Sequence, residues 1–299
     1  MSQIVEILSA PNTRVVLLGV AALGFAAGIV GTYLVLRRRA LAGDVVGHAA
    51  LPGVSIAFLI WSGLYPTAPK NLLVLLIGGA IASALGMLTT AILRRFGRLP
   101  DDAVLAIVLS TFFGAGVVLL SVVQRAATGS QAGIREFIFG QAAAMLPSDV
   151  HLIIITATLA TLLSTLIMKE WTLVCFDEGA CQVLGYPVLA IDIVMMGLVV
   201  CVCIVGMQAV GLLLVVALLV IPPSAARFWT DRVPYMAPLA GVIGSLSAVC
   251  GGVMSALFDK LPTGAVIVIA AASILAFSMV FGTRHGWLGS RRAYAPQSQ

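Results

Sequence analysis

The feature that most constrains this chain is a series of apolar runs about 20 residues long, separated by short segments that carry charge or proline. Roughly 20 apolar residues in a helix cross the hydrocarbon core of a bilayer. A segment in lipid must satisfy its own backbone hydrogen bonds, so such runs predict membrane-spanning helices. The runs lie near 15–36, 46–64, 71–93, 102–123, 150–168, 189–206, 209–228, 235–257 and 263–283.

Composition supports the same class. Hydrophobic residues make up 61% of the chain and charged residues 10%, whereas soluble domains carry roughly 25% charged residues. The sequence therefore predicts an all-α polytopic membrane protein with eight or nine transmembrane helices, in one transmembrane domain over residues 1–299. The number depends on 189–228, a nearly continuous apolar stretch that is divided here at Gly206-Met207-Gln208. The five cysteines lie in or beside apolar runs and are predicted to be packing residues.

The basic residues predict an orientation. If the first span runs from outside to inside, twelve of the 17 Lys and Arg residues fall in cytoplasmic loops and the other five fall outside. This is the positive-inside bias, so the N-terminus is predicted outside and the C-terminus in the cytoplasm. The same bias accounts for the net charge of +5 without a nucleic-acid partner. The first run is too long for the core of a signal peptide, which predicts a retained span.

An acid and an imidazole stand at the mouth of the second run, in "AGDVVGHAALPG". Asp44 and His48 are four positions apart, so in a helix they share one face about 6 Å apart. A carboxylate and an imidazole at that separation can both reach one divalent cation, and this mixed set suits Mn²⁺, Fe²⁺ or Zn²⁺. Pro52 would displace the carbonyl of His48 and add an oxygen to the same face.

A purely structural interpretation of the pair is also open. Asp44 would then cap the helix N-terminus and His48 would be a hydrogen-bonded helix residue. Two ligands do not make a metal site, although a dimer around this helix would supply two Asp and two His side chains. No sequence feature shows such a dimer.

Other segments lie between the spans. The stretch Phe176–Pro187 ("FDEGACQVLGYP") is predicted to be a short cytoplasmic helix, with Asp177 and Glu178 favouring its N-terminus and Gly185 ending it. Such a helix could dock another protein or serve as a connector. Ser130–Leu146 is predicted to be an external interfacial or re-entrant helix. His285, in the basic C-terminal tail, is expected to be solvated.

Several motifs in order resemble those of bacterial ABC-transporter permeases for manganese, zinc and iron. The resemblance covers nearly the whole chain and rests on "GDVVGHAALPGVSIAFL" (43–59), "DDAVLAIVLSTFFGAGVVLLS" (101–121), "REFIFGQ" (135–141), "FDEGACQVLGYPV" (176–188) and "MQAVGLLLVVALLVIPPSAAR" (207–227). It implies a type II importer permease fold in a bacterial inner membrane. It also implies a second permease subunit, identical or paralogous, two cytoplasmic ATP-binding subunits and an extracytoplasmic metal-binding protein.

The resemblance also implies roles for individual residues. Asp44 and His48 match the family's ion path. The coupling helix, which contacts the ATPase, matches Asp177, Glu178, Ala180, Leu184 and Gly185. Gly47 departs from the pattern, because the family usually has Ser there. That change would leave both presumed ligands in place and remove a hydroxyl.

The chain carries no G-x-x-x-x-G-K-[ST] phosphate loop, so ATP hydrolysis is predicted on a separate subunit and the chain is predicted not to be an enzyme. The chain would transport Mn²⁺, Zn²⁺ or Fe²⁺ and would hold no permanently bound cofactor. Membrane lipid would surround its spans. The alternatives are a vitamin B12 or siderophore permease of related architecture and an ion-coupled secondary transporter. A membrane metalloprotease is disfavoured because no H-E-x-x-H pattern occurs.

Overall fold

Helices account for the regular structure of the described residues. The structure, a computed structural model, describes residues 11–65, 71–97, 99–126, 145–258 and 261–287. Within these ranges the helices are α1 (Pro11–Leu36), α2 (Ala42–Leu64), α3 (Leu72–Phe96), α4 (Asp101–Ala126), α5 (Pro147–Leu166), α6 (Met168–Phe176), α7 (Glu178–Val183), α8 (Val188–Val210), α9 (Leu212–Arg227), α10 (Val233–Leu257) and α11 (Thr263–Phe281). Most of Ser130–Leu146, predicted to be an interfacial helix, lies outside the described residues.

Eight of these helices are long and apolar enough to cross a membrane, which confirms the predicted all-α membrane fold. Only α9, with 16 residues, is apolar but shorter than a full span. The predicted boundary at Gly206-Met207-Gln208 is wrong by a few residues, because α8 continues to Val210. The break falls at Gly211, whose φ of +92° is one that residues with a side chain rarely adopt.

The described helices group into two compact units. In the first unit, α1 packs against α10 and α5, α10 packs against α11, and α6 contacts α1 and α7. Glycine permits a close approach of α1 and α10: a Cβ on Gly24 would lie 2.6 Å from the carbonyl oxygen of Gly244. Small residues let helix backbones approach where no hydrophobic effect separates helix from lipid.

In the second unit, α2 packs against α3 and α4, and most of α8 belongs to the same unit. A buried hydrogen bond joins α3 to α2, because Ser83 Oγ donates to the Val46 carbonyl at 2.7 Å. This packing buries most of α2 from Ala42 to Phe58, and it holds the two candidate ligands in place.

Candidate functional site

Asp44 lies inside the first turn of α2. The N-cap of this helix is Leu41, which makes no side-chain capping hydrogen bond. The interpretation of Asp44 as the N-cap residue is therefore wrong. A carboxylate in the first turn still interacts favourably with the positive end of the helix dipole.

Asp44 and His48 share the less covered face of α2. Residues 45–47 and 49–51 are all buried, whereas Asp44 and His48 are partly exposed. The predicted helix therefore places both side chains on one face, separated by one turn. A helix face with this pattern can present one oxygen and one nitrogen ligand to a metal ion beside the helix.

The His48 ring is oriented by an aromatic neighbour. Phe113 of α4 meets it edge to face, with ring centroids 4.8 Å apart and an interplanar angle of 77°. Nδ1 of His48 is buried and has no hydrogen-bond partner among the described residues. An unsatisfied buried polar atom costs about 1–3 kcal/mol. The ring is thus held in place by Phe113, and no described residue satisfies its Nδ1.

Within the part of the chain that the structure describes, no third metal-binding side chain lies beside Asp44 and His48. No group of three or more His, Cys, Asp or Glu side chains there could hold a metal ion. The fully buried thiol of Cys203 on α8 is close enough to Asp44 to interact with it electrostatically, but it does not complete such a group. One chain therefore supplies two candidate ligands, as the spacing predicts.

Gly47 lies between the two ligands and packs against Leu212. A Cβ on Gly47 would overlap Leu212 Cδ1, and Leu212 is itself 7% exposed. Leu212 is the residue after the break at Gly211, so the backbone there directs this side chain onto α2. The space beside the backbone of Gly47, where a Ser side chain would begin, is filled by leucine.

Helix α2 continues through Pro52 to Leu64. The Pro52 ring is covered by α4, because a Cβ on Gly116 would lie 3.0 Å from Pro52 Cδ. The release of the His48 carbonyl by this proline stays a prediction.

We call residues 176–187 the docking segment. The predicted helix is present as α7, and Asp177 is its N-cap, accepting a hydrogen bond from the Ala180 amide at 2.8 Å. Leu184 is the C-cap residue and Gly185 turns the chain with a φ of +80°. Gly185 therefore ends the helix as the sequence predicts.

The docking segment exposes apolar side chains. Val183 is 89% exposed, and Phe176, Leu184 and Tyr186 are also exposed. Apolar groups clustered and exposed on and around a short helix, between the nine-residue α6 and the long α8, are typical of a protein interaction site.

The sequence does not predict the contacts of Arg37, where it counts only as one of the positive-inside charges. Its side chain is 7% exposed and contacts α6, α7 and α8. The carboxylates of Glu178 and Asp192 are the partners of Arg37. Nothing in the sequence pairs them with an arginine more than 100 residues away.

His285 is exposed as expected, but it is also paired. Its Nε2 lies 2.8 Å from Asp231 Oδ1, between the C-terminal end of α11 and the loop before α10. The hydrogen bond from His285 holds the pKa of Asp231 below its ordinary value, and the charges of His285, Arg284 and Arg227 act in the same direction. This pair belongs to the first unit, whereas Asp44 and His48 belong to the second.

Comparison with known proteins gives one consistent set of similarities. The profile of the ABC 3 transport family matches residues 9–282. The chain is 38% identical to the zinc transport system membrane protein TroC of Treponema pallidum, covering 96% of this chain and 95% of TroC. It is 37% identical to the manganese transport system membrane protein MntC of Bacillus subtilis, over 93% of this chain but 63% of MntC. The chain thus spans less than two thirds of the length of that relative.

A solved structure has the same fold. PsaBC from Streptococcus pneumoniae, in complex with a Fab, aligns with a TM-score of 0.81 at 24% identity, covering 97% of this chain and 99% of that one. The likeness shows that the all-α architecture of this chain is one already seen in a solved protein structure.

Proposed function

The chain belongs to the ABC 3 transport family, and on that premise we propose that it is the permease subunit of an ATP-driven importer of divalent transition-metal ions. Its relatives include membrane proteins named for zinc and for manganese transport. The cargo proposed here is Mn²⁺, Zn²⁺ or Fe²⁺. The observation that carries the proposal is the partly exposed Asp44–His48 pair on an otherwise buried stretch of α2.

The pair would act as a transient ligand set. An ionisable residue within a membrane helix is costly, and such residues mark ion pathways. A carboxylate and an imidazole bind a transition-metal ion without favouring Mg²⁺ or Ca²⁺, which prefer oxygen ligands alone. Two weak ligands hold an ion briefly, which suits a path more than a storage site.

A second permease subunit would complete the set. Two copies of the pair supply two carboxylates, whose charges balance the 2+ charge of the ion and lower the cost of moving it out of water. The second subunit could be identical or a paralogue.

The remaining partners follow from the same proposal. The docking segment would contact a cytoplasmic ATP-binding subunit, and an extracytoplasmic protein would deliver the metal. The N-terminus would lie outside a bacterial inner membrane and the C-terminus in the cytoplasm. This orientation requires α9, which is about 24 Å long, to act as a ninth crossing together with the turn at Gly211.

The test is metal uptake by the permease reconstituted with its ATPase in proteoliposomes. We expect Asp44→Asn and His48→Gln to abolish ATP-dependent uptake of Mn²⁺ or Zn²⁺ while the complex still assembles. Matched controls are Asp102→Asn and His151→Gln, which alter exposed residues of α4 and α5 and should leave uptake unchanged. Normal uptake in both site variants would refute the pathway role.

The same assay tests the alternatives. Uptake of a metal only as its siderophore complex would indicate a siderophore permease. Transport by the purified chain without any ATPase would indicate a secondary transporter. Free metal uptake that requires ATP supports the proposal.

A further inference from the structure

Arg37 lies one residue beyond the C-terminal end of α1 and is buried, in contrast to the next residue. Its side chain is 7% exposed, whereas Arg38 is exposed and turns the chain with a φ of +56°. Positive-inside topology requires only that charge stays on one side of the membrane. It does not require a guanidinium to be removed from water, which is costly unless the charge is paired.

The guanidinium contacts three helices that are consecutive in the sequence. Nη1 donates to the Val174 carbonyl at 2.9 Å, in the last turn of α6. Nη2 lies 3.4 Å from Glu178 Oε2, in the first turn of α7, and 3.4 Å from Asp192 Oδ1, near the start of α8. The last carbonyls of a helix have no partner within the helix and interact favourably with a cation. One side chain thus joins the end of α6 to the starts of α7 and α8.

The end of α1 is anchored independently of this arginine. Tyr33 packs edge to face against Trp171 of α6, with ring centroids 4.7 Å apart, and both side chains are 1% exposed. The Tyr33–Trp171 contact therefore fixes the C-terminal end of α1 against α6, and from there the Arg37 guanidinium extends toward α7. Of its two carboxylate partners, Glu178 is 54% exposed and Asp192 is 20% exposed.

We propose that Arg37 is the positioning residue that links the docking segment to the membrane helices. This inference rests on the proposed function, in which the ATPase contacts the docking segment. A displacement of α7 by that partner reaches α1 and α8 through the Glu178–Arg37–Asp192 contacts. Lysine cannot replace the arginine, because an ammonium group is a point charge without the planar fork that holds several acceptors at once.

The experiment uses the permease assembled with its ATPase in proteoliposomes, and it measures metal transported per ATP hydrolysed. We expect Arg37→Gln and Arg37→Lys to assemble and to hydrolyse ATP, while metal transported per ATP falls by about tenfold, equivalent to about 1.4 kcal/mol of coupling. Arg38→Gln is the matched control, because it removes the same charge from an exposed neighbour. A purely structural role for Arg37 would lower assembly and ATP hydrolysis together with uptake.

A double-mutant cycle covers the case in which Arg37→Gln fails to assemble. The cycle combines Arg37→Lys with Glu178→Gln, and non-additive effects on metal per ATP support the link. Additive effects, or an unchanged ratio in the assembled Arg37 variants, would overturn it. The wild-type complex is measured first: absence of ATP-dependent uptake there contradicts the proposed function, whereas wild-type uptake with unaffected Arg37 variants contradicts only this inference.

Discussion

The N-terminal half of α2 and the docking segment depart from the usual distribution of side chains in opposite directions. Along α2, two ionisable side chains interrupt a buried apolar surface. In the docking segment, apolar side chains such as Val183 are exposed on a helix of 6 residues. Each arrangement is unfavourable in the isolated chain. The difference separates the two roles in the proposed function: the ionisable pair of α2 would bind a metal ion, and the apolar docking segment would bind a protein partner.

The strongest test of this comparison removes both ionisable side chains of α2. We expect Asp44→Leu combined with His48→Leu to reduce metal uptake by about 100-fold or more, because no ligand remains on the face. The melting temperature should stay the same or rise, since two partly buried polar groups are removed. Uptake in proteoliposomes and thermal unfolding in detergent measure the two effects.

The opposite control is Val46→Ala, which shortens a fully buried side chain of the same helix. It should lower the melting temperature and keep uptake. A double-leucine variant that unfolds at lower temperature and still transports metal would show that the pair is structural.

The second test adds a charge to the docking segment. Val183→Asp places a carboxylate where an apolar contact is expected, so binding of the ATPase subunit should weaken by about tenfold or more. Gln182→Asp is the control, because it places the same charge at an exposed neighbour on α7. The dissociation constant of the complex measures the effect. Equal weakening in both variants would indicate general charge repulsion and not an apolar contact.

The third test concerns the space between the two candidate ligands. Gly47→Ser would collide with Leu212, so we expect the free energy of unfolding to fall by about 1–3 kcal/mol. Adding Leu212→Val should recover part of that loss, because it withdraws the colliding carbon atom. Gly114→Ser is the control, since a Cβ there meets nothing within 4 Å. No destabilisation by Gly47→Ser would mean that Leu212 moves freely.

The smallest expected effect is the acid dependence of the Asp231–His285 pair. The pKa of Asp231 is lowered in the folded chain, so its contribution to stability is complete above the ordinary pKa of 3.8 and is lost as the pH falls below that value. The difference in melting temperature between the wild type and Asp231→Asn should be small near pH 7 and should vanish in strong acid. A difference that grows as the pH falls below 3.8 would have the wrong sign.

Much of the architecture and part of the site could be predicted from local sequence. The apolar runs predict the long helices, because the length needed to cross a bilayer is a property of each segment alone. Asp177 was predicted to favour the start of a short helix, and it is the N-cap of α7. The shared face of Asp44 and His48 follows from helix geometry.

Only the tertiary structure decided which distant residues meet these elements. The break after Val210 falls at Gly211, and it brings Leu212 against Gly47. Phe113 orients the ring of His48. Arg37 contacts Glu178, which is 141 positions away in the sequence. The length of an apolar run and the capping of a helix depend on a few adjacent residues, whereas these contacts depend on how whole helices pack. The sequence alone therefore determined the long helices and the candidate ligands, and the tertiary structure decided which residues surround them.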